Sequence, residues 1–109
     1  MIKTAQELFN RVKEHLLTQN RQSLSCGGRC VYRGPNGLKC AIGALIPDKE
    51  YRPSMEGESV FDGLVGEAAG IPYHLVELAA SLQHIHDTWL PEQWPKQLDE
   101  LATREGLIY

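Results

Sequence analysis

Gly28-Arg-Cys-Val-Tyr-Arg-Gly-Pro-Asn-Gly-Leu-Lys-Cys-Ala-Ile-Gly-Ala-Leu-Ile-Pro-Asp48 is the stretch on which the fold class turns. Arg29 to Arg33 has strand-forming residues, Gly34-Pro-Asn-Gly37 is a concentrated turn signal, and Leu38 onward can return, so the pattern predicts a β-hairpin. Cys40 to Ile46 is apolar without alternation and rich in small residues. It reads as a strand end running into a helical turn, stopped by Pro47.

Working outward, the flanks read as amphipathic helix. Thr4-Ala-Gln-Glu7 is a capping box ahead of Leu8, Phe9, Val12, Leu16 and Leu17 at helical spacing, predicting a helix from about Ala5 to Thr18. The polar run Gln19 to Ser25 is a loop. Asp48 to Glu58 is a second, long loop, and long ordered loops often bind. Ser59 is placed to cap a helix through Phe61, Leu64, Val65 and Ala68, ended by Gly70-Ile-Pro72. Leu75, Val76, Leu78, Ala79, Leu82, Ile85, His86 and Trp89 trace the clearest stripe, closed by Pro91. A last helix turns Trp94, Leu98, Leu101 and Ala102 inward and stops at Gly106. The expected fold is α+β: about four helices packed on one short β-hairpin, a single compact domain over 1–109, with Cys30, Cys40, Ile42, Leu45 and Ile46 inside.

With 109 residues, 42% of them hydrophobic, the chain is long enough for one core and too short for two lobes around a cleft. No segment reaches the ~18 consecutive apolar residues of a membrane span. The first residues lack an apolar run and do not read as a secretory signal. Three cysteines without an export signal point to reduced thiols in a cytosol. A net charge of −3 argues against a general nucleic-acid binder, but the distribution is uneven. Residues 1–40 hold seven Lys/Arg against two acids, and residues 41–109 hold four against twelve. Either the halves pair with each other in the folded domain or one presents a charged interaction surface.

Three chemistries deserve weighing. Cys26, Cys30 and Cys40 with His84 or His86 could make a Cys₃His zinc site, although the C-x₃-C-x₉-C spacing lacks the tight pairs of compact structural sites. Cys40, just after a glycine turn, could be a thiol nucleophile with His86 as base and Asp87, or Asp48, as orienting acid. Against this, a histidine on an apolar stripe is commonly a satisfied core residue, and cysteine is among the most buried types. Arg29, Tyr32, Arg33 and Lys39 form a basic, aromatic group that could meet a phosphate or an acidic protein patch, or could simply be solvated edge charge. The glycines form no phosphate-binding motif. Trp89 and Trp94 flank Pro91 and read as filling the junction of the last two helices, with a partner hot spot as the sharper alternative.

The central motif, followed by Tyr51, Met55-Glu-Gly57 and Leu82-Gln-x-x-His-Asp87, resembles a family of small proteins encoded by bacteriophages and prophages, over nearly the whole chain. The resemblance implies a small accessory protein in the cytoplasm of a bacterial host and carries over no catalytic or binding residues. The expected function is therefore binding of a host or phage protein, inhibiting or modulating it, through Arg29, Tyr32, Arg33, Lys39 and the loop containing Tyr51 and Glu56. No cofactor, membrane or nucleic acid is expected. The alternative is a small thiol- or metal-dependent enzyme using Cys40, His86 and Asp87.

Overall fold

The structure is a computed structural model that describes residues 2–25 and 27–109. Among the described residues four α-helices carry the chain: α1 (Ala5–Gln19), α2 (Gly63–Ala68), α3 (Val76–Thr88) and α4 (Trp94–Glu105). α1, α3 and α4 pack against one another, and the long segment between α1 and α2 lies over them as loop and short 3₁₀ turns.

α1 begins where the sequence says. The Thr4 hydroxyl accepts the Glu7 amide at 3.1 Å, while the Glu7 carboxylate takes the amide of Lys3 at 3.0 Å, one residue earlier than a standard capping box. The helix ends on Asn20 in the left-handed region (φ 51°). Its stripe of Leu8, Phe9, Val12 and Leu16 is fully buried, each side chain contributing roughly 1.5–3 kcal/mol. Trp94, Leu98, Leu101 and Ala102 of α4 are buried as their spacing requires, and Gly106 ends the helix with a φ of 71°. Trp94 is fully enclosed and donates its indole N–H to the Trp89 carbonyl at 3.0 Å, so the two tryptophans seal the α3–α4 junction.

The expected α+β class and its hairpin are overturned: among the described residues there is no strand and no sheet. Where the hairpin should run, one isolated antiparallel bridge joins Arg33 to Lys39 around a 3₁₀ turn at Pro35–Gly37. The pairing stops there because its backbone donors are spent elsewhere. The amides of Tyr32 and Arg33 both go to the Glu56 carboxylate, at 2.9 and 3.1 Å, and the Val31 amide goes to the Ser23 carbonyl at 3.0 Å. On the return limb, the Lys39 amide is taken by Gln19 Oε1 at 2.9 Å and the Ile42 amide by Gln83 Oε1 at 3.0 Å. Side chains satisfy the donors that a ladder would otherwise hold.

Cys40, Ile42, Leu45 and Ile46 are buried as expected, with Ala41; Cys30 is only half-buried. The small residues of this run have a steric cause. A β-carbon on Gly43 would lie 2.2 Å from the Tyr32 carbonyl oxygen, so only glycine permits this approach of the two limbs. The helix expected from Ser59 is shorter and differently capped. α2 starts after Asp62, whose carboxylate accepts the Leu64 amide at 2.9 Å, and its Leu64 and the preceding Phe61 face outward.

Candidate functional site

Three of the residues singled out for their chemistry converge at the C-terminal end of α3. The ligand atoms of Cys30, His86 and Asp87 all lie within 4.8 Å of one another. His86 is wholly buried and its ring stacks on Trp94, with centroids 5.6 Å apart. The Ser23 amide donates to its Nε2 at 2.9 Å, so Nε2 must carry the lone pair. The proton therefore sits on Nδ1 and is donated to Asp87 Oδ1 at 2.7 Å. Neighbours at i and i+1 do not normally face each other on a helix; here Gln83 holds the Asp87 carboxylate in place, donating from Nε2 at 2.8 Å. Gln22 completes the joint, its side-chain amide reaching the His86 carbonyl at 3.0 Å and, alongside the Trp94 indole, the Trp89 carbonyl at 3.3 Å.

This arrangement does not assemble the thiol dyad or the Cys₃His set. Cys40 is buried outside the cluster; its sulfur accepts the Gly43 amide at 3.3 Å, and burial pushes its thiol up to about 12. Cys30 faces the cluster, but its thiol contacts the Asp87 carbonyl, and burial followed by the Asp87 charge pushes it up to about 11. Both sulfurs are thus held as thiols, the weakly nucleophilic form. A metal on His86 would need the Nδ1 lone pair, which forces the proton onto Nε2 against the Ser23 N–H. The donor set suits a neutral imidazole with two hydrogen bonds. Cys26 lies outside the described residues.

The expected binding residues are mostly internal fastenings. Tyr32 is buried and gives its hydroxyl to the Glu58 carbonyl at 2.5 Å; burial, then the neighbouring Cys40 and acids, push its pKa well above that of a free phenol. The Arg33 guanidinium binds Asp48 and the Ile46 carbonyl, each at 2.5 Å, and lies against the Tyr51 ring, 5.0 Å from its centroid. Lys39 approaches the same Asp48 carboxylate at 3.7 Å. Glu56, besides its two amides, accepts the Tyr51 hydroxyl at 2.6 Å, and burial together with that carboxylate pushes the phenol up to about 12. Part of the charge asymmetry is therefore answered inside the domain. Arg29 is exposed, with no carboxylate within 4.0 Å among the described residues. Glu56, expected on a binding loop, is thus an internal acceptor. Gln19, Gln22 and Gln83 are the structural residues that sequence reasoning left without a role; Gln83 stood in the Leu82-Gln-x-x-His-Asp87 motif, and no periodicity singled out the other two.

Two concavities flank the loop between Glu56 and Asp62. One, of about 380 Å³, is lined by Cys30, Glu56, Glu58, His84 and Asp87 among others. The other, of about 420 Å³, is predominantly apolar, with Val60, Phe61, Ile71, Tyr73 and Val76 in its walls. Of its lining residues, Phe61 is 63% and Tyr73 95% exposed, and Leu64, which lines an adjoining hollow, is 68% exposed.

Compared with family models, with curated proteins and with solved structures, the chain matches none of them. No helix among the described residues is long and apolar enough to cross a membrane.

Proposed function

We propose that this chain is a small phage- or prophage-encoded accessory protein that works in the bacterial cytoplasm by binding a host or phage protein, and so inhibits or modulates it. The observation that carries the reading is the outward group of Phe61, Leu64 and Tyr73 beside an apolar groove. Exposed aromatic groups of this kind are what partner-binding surfaces bury; Phe61 and Tyr73 line one groove, and Leu64 lines the hollow next to it. The chemistry at the Cys30–His86–Asp87 cluster supports it from the other side. Both ring nitrogens of His86 are engaged and both described thiols are held protonated, which leaves no activated nucleophile or free base there. The reading invokes no cofactor.

Of the basic group expected to make contacts, Arg29 alone is free to do so, and it is kept as a secondary contact. The test is a pull-down from bacterial host lysate with tagged wild type, tag alone, Arg29→Glu and Phe61→Ser, read by mass spectrometry. One protein enriched over the tag and lost with a surface variant supports the reading. No protein enriched over the tag sinks it.

A further inference from the structure

We infer that the groove beside α2 receives a basic segment of the partner protein, in which one aromatic or aliphatic anchor is flanked by Lys or Arg; the inference rests on the protein-binding reading above. The apolar walls supply the anchor site. Ile71 and Val60 form buried wall, Phe61 and Tyr73 stand at the edges, and Gly66 and Gly70 carry no side chains to fill the space between. Leu64, on the next face of α2, opens into an adjoining hollow with Met55 and Ala68, so the apolar surface is continuous past Glu67, which borders both.

Charge identifies the occupant. Residues 53–95 contain seven acids, Glu56, Glu58, Asp62, Glu67, Glu77, Asp87 and Glu92, and neither lysine nor arginine. Asp62 and Glu67 line the groove itself, and Glu67 is exposed. The cation bordering the adjoining hollow, Arg52, is turned onto the carbonyls of Lys49 and Tyr51 at 3.3 and 3.2 Å. An apolar slot rimmed by carboxylates favours a ligand of opposite charge and repels nucleic acid and anionic lipid. It also disfavours a twofold pairing of this face with itself, which would set Asp62 and Glu67 against their own copies.

The experiment is selection from a display library of random peptides about a dozen residues long on the full chain, followed by binding of the enriched peptides to three proteins: wild type, Phe61→Ser with Tyr73→Ser, and Glu67→Lys. All substituted side chains are exposed, and unchanged melting curves confirm that the variants remain folded. Enriched peptides are expected to combine a bulky apolar residue with at least two Lys or Arg. Their affinity should drop about tenfold or more on the double variant, and severalfold with Glu67→Lys and in high salt. Neutral or acidic peptides, no enrichment at all, or equal binding to the double variant would overturn the inference. So would sedimentation showing that the wild type self-associates through this face and the double variant does not. A pull-down partner retained by the double variant leaves protein binding standing and removes this surface; absence of any partner removes the broader reading.

Discussion

The backbone N–H of Ser23 donates to Nε2 of His86 across 2.9 Å, joining the loop after α1 to the end of α3 inside the core. With Asp87 on the other nitrogen, the contact fixes a neutral ring protonated on Nδ1. Long-range ¹H–¹⁵N correlation spectra near neutral pH should show that tautomer; protonation on Nε2 would break the account. His86→Ala removes a ring stacked on Trp94 and leaves a buried amide unpaired, so a loss of about 3 kcal/mol is expected in urea denaturation.

Gly43→Ala should be among the most damaging single-methyl changes in this chain. The new carbon would meet backbone, at 2.2 Å from the Tyr32 carbonyl oxygen, and backbone cannot swing aside as a side-chain tip can. A loss of about 3 kcal/mol or failure to fold is expected. Gly37→Ala is the control: its φ of 75° is strained for alanine, but a β-carbon there meets nothing, so about 1–2 kcal/mol should be lost. Equal melting temperatures for the two variants would show that the close approach does not matter.

Glu56→Ala should loosen the central stretch without unfolding the helices. It removes the acceptor for two amides and the Tyr51 hydroxyl, and a loss of about 2 kcal/mol is expected. Amide hydrogen exchange should speed up selectively at Tyr32 and Arg33. Unchanged protection at those two positions would mean that the carboxylate is not what holds them.

The thiols offer a direct comparison. Burial raises Cys30 and Cys40 from the ordinary thiol value of 9.0 to about 11 and about 12. Iodoacetamide at mildly alkaline pH, followed peptide by peptide, should label both more than about a hundredfold slower in the native protein than in urea. Fast native labelling of Cys40 would revive the nucleophile reading.

Stability should fall on acidification in two stages. Burial lowers His15 below the 6.5 of a free imidazole, outweighing its hydrogen bond to the Lys39 carbonyl. The folded state therefore binds that proton less readily, and the stabilisation present above 6.5 is lost as pH falls through the folded value. Asp48 is held below 3.8 by its hydrogen bond from Arg33 and by the Lys39 charge, so its contribution is present above 3.8 and lost only at stronger acidity. Urea midpoints measured across pH should decline in both windows, and His15→Gln should flatten the first.

The helices were legible because each rests on information carried within a few residues. The stripe of α1, the inward set of α4 and the glycine stop at Gly106 are local periodicity and local φ preference, and the structure places them where the spacing does. The central stretch misled for a corresponding reason. Gly34-Pro-Asn-Gly37 does turn the chain, and Arg33 does bridge to Lys39, yet continuation of the ladder depended on whether distant acceptors would claim its amides. Those acceptors are Glu56, Gln19, Gln83 and the Ser23 carbonyl, residues without periodic signature. Phe61 and Leu64 show the complementary failure. They continue an apolar spacing that reads as core, but α2 is only Gly63–Ala68, and its orientation turns them outward.

By itself, then, the sequence determined the amphipathic helices α1, α3 and α4, their approximate limits, a buried Cys40-to-Ile46 run and the Trp94 core anchor. The tertiary structure alone decided that the middle of the chain is pinned loop and that His86 is locked between Ser23 and Asp87. It alone brought Phe61 and Tyr73 into one groove with Asp62 and Glu67. The division follows range: helix periodicity is written in neighbours three and four residues apart, whereas an amide's choice of acceptor and the exposure of a side chain depend on groups tens of residues away.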